Sequence, residues 1–277
     1  EGEVVSGVRL AARQHGVAVE SVSPVDARKR FPGFCVPGGF DVVFEPVGGV
    51  LRVEDCVRTM LDLARQSGAV LESGHAVESW ESDGQHVRVT TSQGTFEAAT
   101  LILTPGSWAG DLLGNVPGMP AFEVLRKSMF WNPVRSDAFN IDRGGCAFLF
   151  EMPTATFYGF PSFDGQALKL AEHSGGVAVS DPSNVDRRQH ESDVEPVARF
   201  LRSVMPTVDP VPARHTTCMY TVTPDRHFIV DRHPEYSNVF FGAGFSGHGF
   251  KFTPVIGEAL VQLAIDGRSD LPIEFLG

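Results

Sequence analysis

Residues 214–257 hold the densest set of side chains that could do chemistry. Cys218 is followed by Met219 and Tyr220, and three cations, Arg214, His215 and Arg226, lie close by in the chain. Any of these that the fold brings near would lower the thiol pKa and favour the nucleophilic thiolate, although a buried structural cysteine is the commoner fate of the residue. Downstream, Gly244, Gly247 and Gly249 follow an apolar run over 239–242 and precede a helical pattern with Pro254 near its first turn and Ile256, Ala259, Leu260 and Leu263 on one face. A strand, a glycine turn and a helix start together can cradle an anion or cofactor, because backbone without Cβ approaches a ligand closely and free N–H groups favour electron-rich atoms. Lys251 follows that turn, as a ligand for an anion or as a solvated surface charge. Lys169 stands between Leu168 and Leu170, so strand alternation turns it away from its apolar neighbours, into water or into a cavity. His215, Cys218, His227 and His233 match no zinc spacing, and the glycines around Ser246 are misplaced for a G-x-S-x-G nucleophile elbow.

Several motifs occur in one order: F-E-P-V-G-G-V-L at 44–51, P-G-S-W at 105–108, Y-G-F-P-S-F at 158–163, L-K-L-A-E-H at 168–173, C-M-Y-T at 218–221 and G-F-S-G-H-G-F-K-F at 244–252. Together they resemble the monomeric sarcosine oxidase and N-methyl-amino-acid oxidase family of FAD-dependent flavoenzymes, over essentially the whole chain. The resemblance implies oxidation of a secondary or N-methyl amino acid to an imine, with oxygen taken to hydrogen peroxide. It implies flavin attached through a thioether at Cys218, and cofactor contacts from Val77, Gly106, Trp108, Met219, Gly244, Gly247, His248, Gly249 and Lys251. It places Lys169 beside the flavin as the group that speeds reaction with oxygen, and His173, Tyr158, Tyr220 and Lys251 around the substrate. Lys169 and His173 are thus the implied catalytic residues. An arginine that partners the lysine at 251 in the family lies in an N-terminal region with no counterpart in these residues. The Ala171-Glu172 pair before His173 departs from the glycine and tyrosine of sarcosine oxidases, which leaves the substrate amine open.

The resemblance implies an opening strand, G-x-G-x-x-G turn and helix that hold the ADP half of FAD, and the first fifty residues contain no such motif. Roughly the first quarter of the family's length is expected to be missing, so that the chain is a fragment and a separate N-terminal segment is an expected partner. Two rival readings follow: a related flavin oxidase or dehydrogenase acting on cyclic imino acids or glycated amines, and a catalytically incompetent fragment or binding protein.

The 277 residues, 42% hydrophobic and 21% charged, describe an ordinary globular chain. Its net charge of −11 and lack of basic runs argue against nucleic acid or an anionic membrane as partner. Four widely spaced cysteines without a C-x-x-C pair suggest a reduced, cytoplasmic protein.

The pattern reads as α+β / α/β, with an incomplete Rossmann-like FAD lobe and a substrate lobe on a mixed, largely antiparallel sheet with helices on one face. The expected division is a mixed lead-in at 1–52, FAD lobe at 53–120, substrate lobe at 121–212 and a return to the FAD lobe at 213–277. Helices are predicted over 4–15, 24–32, 53–67 and 194–204, and after Pro254. Segments at 69–71, 76–80 and 87–91 read as a meander. Further strands are predicted at 101–104, 127–131, 147–152, 156–160, 167–172, 227–231 and 239–242, and 181–191 as a surface loop.

Overall fold

A computed structural model describes residues 2–277. In order, its main elements are α1 (Glu3–His15), β1 (Glu20–Val22), α2 (Pro24–Arg30), β2 (Val42–Phe44), α3 (Val53–Gln66), β3 (Val77–Ser82), β4 (Val87–Thr91), β5 (Gly94–Ala98) and β6 (Leu101–Leu103). There follow α4 (Ala109–Leu113), β7 (Glu123–Pro133), β8 (Phe148–Glu151), β9 (Thr156–Phe160), β10 (Ala167–Glu172) and β11 (Val177–Ala178). The chain closes with α5 (Glu191–Val204), β12 (Arg214–Val222), β13 (Ile229–Arg232), β14 (Val239–Ala243) and α6 (Thr253–Asp266). It forms two compact units, one from the residues up to Val50 with Lys127–Val177 and Asp186–Cys218, the other from Leu51–Arg126, Ala178–Val185 and Met219–Gly277.

In the first unit β10 lies between β7 and β9, antiparallel to both, and β8 adds to β9. Strand alternation sends Leu168 and Leu170 into the core, where Phe130 and Phe157 join them. The apolar stripe of α5, Val197, Leu201 and Val204, completes that core, and Phe200 stacks on Phe157 at 4.5 Å between centroids. Burial of a Leu-sized side chain here is worth about 2 kcal/mol, so this one seam fixes which sheet face turns outward. The N-terminus of α1 is held by the Glu151 carboxylate, which accepts from the Glu3 and Val4 N–H groups at 3.1 and 3.2 Å, where the helix dipole favours negative charge.

The second unit has a β3–β4–β5 meander and a three-stranded sheet in which β14 runs parallel to β6 and antiparallel to β13. Every residue of β14 is buried, as its unbroken apolar run requires, and α6 covers it with Ile256, Ala259 and Leu260. None of the side chains of α3 is buried; Val53, Val57 and Leu61 stand exposed along it.

Three sequence expectations are corrected. Residues 69–71 form no strand; the third strand of the meander is β5, on the other side of the Gln93-Gly94 turn. The strand expected from His227 begins at Ile229, because Asp225 accepts from the His227 N–H and Thr223 Oγ1 donates to the His227 carbonyl, closing a turn there. The segment 214–222, too polar to read as a strand, forms the nine-residue β12.

Candidate active site

Antiparallel register builds a polar and aromatic face in the first unit. Lys169 on β10 stands directly opposite Trp131 on β7 and Phe160 on β9, and Ala171 opposite Met129 and Tyr158. Directly opposed residues share a sheet face, so these six belong together. The Lys169 ammonium lies 5.3 Å from the Trp131 ring centre and 5.6 Å from that of Phe160. His173, two residues beyond Ala171, is fixed by its N–H to the Thr156 carbonyl at 2.7 Å, and its ring meets Tyr158 edge-on at 6.0 Å. The structure therefore brings Lys169, Tyr158 and His173 onto one wall. Glu172 alternates to the opposite side and accepts from the Ser174 hydroxyl at 2.8 Å, which takes its carboxylate out of that row.

Cys218 on β12 is partly buried, and burial pushes its thiol pKa up; Lys169 and then Lys127 oppose the rise. These two lysines, not Arg214, His215 and Arg226, are the cations that act on the thiol. Arg214 instead stacks on Trp131 at 3.8 Å, His215 Nε2 meets the Arg187 carbonyl at 3.2 Å, and Arg226 occupies a turn with φ of 62°. The reason is register: β7 and β10 deliver charges from positions 91 and 49 residues upstream, which no sequence window around Cys218 contains. Lys127 is almost fully buried, its ammonium donating to the carbonyls of Ser174 at 2.5 Å and Gly175 at 3.0 Å. Lys127 and Trp131 were not singled out from the sequence; the signal available was the charged pair Arg126-Lys127 beside the apolar residues of β7.

In the second unit three of the sequence motifs meet at Thr221. Its hydroxyl donates to the Gly106 carbonyl at 3.1 Å, and its own carbonyl accepts from Ser246 N–H at 3.0 Å. Next to it, the buried Tyr220 ring lies against Gly247, where a Cβ would stand 2.3 Å from a ring carbon; φ there is +80°. Gly244 has φ of +68° and a Cβ would come within 2.5 Å of the Thr223 methyl. Both positions are closed to any residue with a side chain. Gly249 is a third close approach, to Phe245. His248 packs on Phe228 at 4.9 Å, its Nδ1 lies 3.1 Å from the Ser246 carbonyl, and burial holds its pKa below the usual histidine value. Lys251 sits in a 3-10 turn over Phe250–Phe252 that separates the glycines from α6. Its ammonium donates to the His248 carbonyl at 2.9 Å, and the atoms packed around its stem lower its pKa although the residue is exposed. Trp108 is exposed and donates from Nε1 to Ser183 Oγ at 3.1 Å. Val77 is exposed at the irregular start of β3, and Met219, half-buried, continues β12 past Cys218.

Each unit by itself offers a feature a flavin could use. In the second, nothing stands within 4 Å of the Cβ position at Gly106, whereas the Cβ positions of Gly244, Gly247 and Gly249 are filled by Thr223, Tyr220 and Phe245; in the first, Cys218 supplies a partly buried sulfur under lysine charge. Among the described residues no group of histidine, cysteine and carboxylates could hold a metal ion.

Residues 3–263 match the family described as FAD dependent oxidoreductase, DAO. The chain is 36% identical over 272 residues to monomeric sarcosine oxidase of Arthrobacter sp. (strain TE1826), covering 98% of this chain and 70% of that protein. It is 33% identical over 273 residues to N-methyl-L-tryptophan oxidase of Yersinia pestis (strain Pestoides F), covering 97% and 71%. Among solved structures it resembles NikD, described as an unusual amino acid oxidase essential for nikkomycin biosynthesis, with a TM-score of 0.83 at 24% identity over 99% of this chain and 72% of that one. L-proline dehydrogenase from P. horikoshii matches with a TM-score of 0.83 at 18% identity over 100% and 73%. The two structural likenesses speak for the fold alone. With a family match across nearly its whole length and sequence relatives above 30% identity, the chain belongs to the FAD dependent oxidoreductase family.

Proposed function

We propose that the protein oxidises the C–N bond of a secondary or N-methyl amino acid, giving an imine that hydrolyses to an aldehyde, with oxygen reduced to hydrogen peroxide. Bound FAD supplies the two-electron acceptor for this chemistry. The observation that carries the reading is the wall on which Lys169, Tyr158 and His173 stand in register. Tyr158 and His173 present polar edges to the substrate amine from a rigid sheet, which orients it without mobile loops. Lys169 keeps a positive charge where oxygen takes up electrons, a form of electrostatic stabilisation that needs no reorganisation. Lys251, beside the glycine turn, is the proposed ligand of the substrate carboxylate, and Tyr220, whose ring lies against Gly247, a further proposed substrate contact. The turn at Gly244, Gly247, His248 and Gly249, with Gly106, Trp108, Val77 and Met219, contributes the cofactor contacts.

Cys218 is the attachment point for the flavin. Burial raises the pKa of its thiol and the charges of Lys169 and Lys127 oppose that rise, favouring the thiolate that attachment requires. Acid precipitation of the flavin-loaded protein tests this: colour is expected in the precipitate, and in the supernatant for Cys218→Ser. Colour in the supernatant for both proteins would remove the covalent link while leaving the oxidase reading intact. That reading is tested by assaying sarcosine, N-methyl-L-tryptophan, L-proline and a glycated amine with peroxide detection. N-methyl amino acids are expected to turn over fastest with one peroxide per imine; oxidation without peroxide would make the protein a dehydrogenase.

A further inference from the structure

Lys169 has a long, flexible side chain, and no salt bridge to it is found among the described residues. Two aromatic rings approach its ammonium instead, Trp131 and Phe160, one from each strand flanking β10 and each at the position directly opposite. We propose that Trp131 is a positioning residue for Lys169: with Phe160 it forms a notch that holds the ammonium over the sheet face while leaving its charge unneutralised. The proposal rests on the oxygen-activating role given to Lys169 above.

The physical point is the difference between an aromatic ring and a carboxylate as partner. A carboxylate would fix the lysine more firmly but would cancel its field, and an anion formed nearby would gain little from the pair. A ring attracts the cation through its quadrupole and adds no net charge. The notch is itself braced. Arg214 stacks on Trp131 at 3.8 Å, and the Ala213 N–H donates to the Trp131 carbonyl at 2.9 Å, which locks β12 alongside β7 at this point. The row across the sheet therefore reads Arg214, Trp131, Lys169, Phe160: cation, ring, cation, ring. Arg214 limits rotation of the indole and contributes a second positive charge, and among the described residues no salt bridge joins it to a carboxylate.

The test compares parent protein, Trp131→Leu, Trp131→Phe, Arg214→Ala and Lys169→Met. Reductive methylation with 13C-formaldehyde labels the lysines, and the resonance missing from Lys169→Met identifies Lys169. Its signal is expected upfield of the other lysines through the ring currents, to fall back toward them in Trp131→Leu, and to stay largely in place in Trp131→Phe. In the flavin-loaded protein, Trp131→Leu is expected to slow reoxidation by oxygen roughly three- to tenfold, leaving reduction by substrate unchanged, because one cation–π contact of modest strength is lost. Arg214→Ala, at an exposed position, shifts both readouts in the same direction by less and serves where Trp131→Leu does not fold. A Lys169 resonance unmoved by either variant would overturn the proposal. If Lys169→Met reoxidises as fast as the parent, the oxygen role falls, while the resonance still decides whether Trp131 places the lysine.

Discussion

In the reading proposed above, the side chains around Lys169 carry the chemistry and the backbone is ordinary antiparallel strand; around Gly247 that part falls to the backbone, and Tyr220, Thr221 and Thr223 hold it in shape. The two regions should respond differently to substitution. On the strand face a side chain can be exchanged with the fold intact, because Leu168, Leu170 and Phe130 on the other face bear the packing. In the turn, positive φ and near-contact distances leave no room for exchange at all.

Gly247→Ala is expected to have the largest effect. A methyl placed 2.3 Å from the Tyr220 ring, at φ of +80°, is expected to cost about 2–4 kcal/mol of stability and to abolish flavin retention, read by thermal denaturation and by flavin absorbance. An alanine variant as stable as the parent would mean that the turn is looser than described. Lys169→Met is next in effect and opposite in kind: the melting temperature stays within a degree or two, whereas reoxidation of reduced flavin in stopped flow slows by about 100-fold. Equal slowing of the reductive half-reaction would show that the lysine serves substrate rather than oxygen. Lys251→Gln is expected to raise KM for an amino-acid substrate about tenfold with little change in kcat, because it removes a contact made equally before and during the reaction. An unchanged KM would place the carboxylate elsewhere.

The smallest effect concerns acid. Burial lowers the pKa of His248, and that of His233, whose Nδ1 accepts from the Glu235 and Tyr236 N–H groups at 3.1 and 3.2 Å. A histidine whose folded pKa lies below the ordinary 6.5 takes up its proton more readily unfolded, so its stabilising share is complete above 6.5 and is lost as pH falls below it. Denaturant midpoints measured between pH 7.5 and 5.5 should therefore decline, and less steeply in His233→Gln. Parallel profiles for the two proteins would exclude His233 from the effect.

Much of the scaffold was legible from periodicity. Val53, Cys56, Val57, Met60, Leu61 and Ala64 outline α3, and the unbroken run at Val239 announces β14. β5 was not, because Gly94–Ala98 is exposed throughout and has no apolar alternation to read. β12 was hidden by its composition, since arginine, histidine and threonines outnumber its apolar residues. The site residues were named from motifs, but who acts on whom was not readable. Trp131 is 38 residues from Lys169 in sequence and faces it only because β7 and β10 pair in that register. For the same reason the charges near Cys218 were sought among its sequence neighbours, and were found on other strands.

The bare stripe on α3 bears on the protein's behaviour as a colloid. Val53, Val57 and Leu61 offer copies of the chain an apolar surface on which to adhere, and a net charge of −11 keeps those copies apart. That barrier is long-ranged and fragile: it shrinks as salt shortens the Debye length below about 10 Å, and it vanishes as pH approaches 5.2. Clouding at mildly acidic pH or high ionic strength would then come from intact molecules sticking, and would clear on dilution into neutral, low-salt buffer.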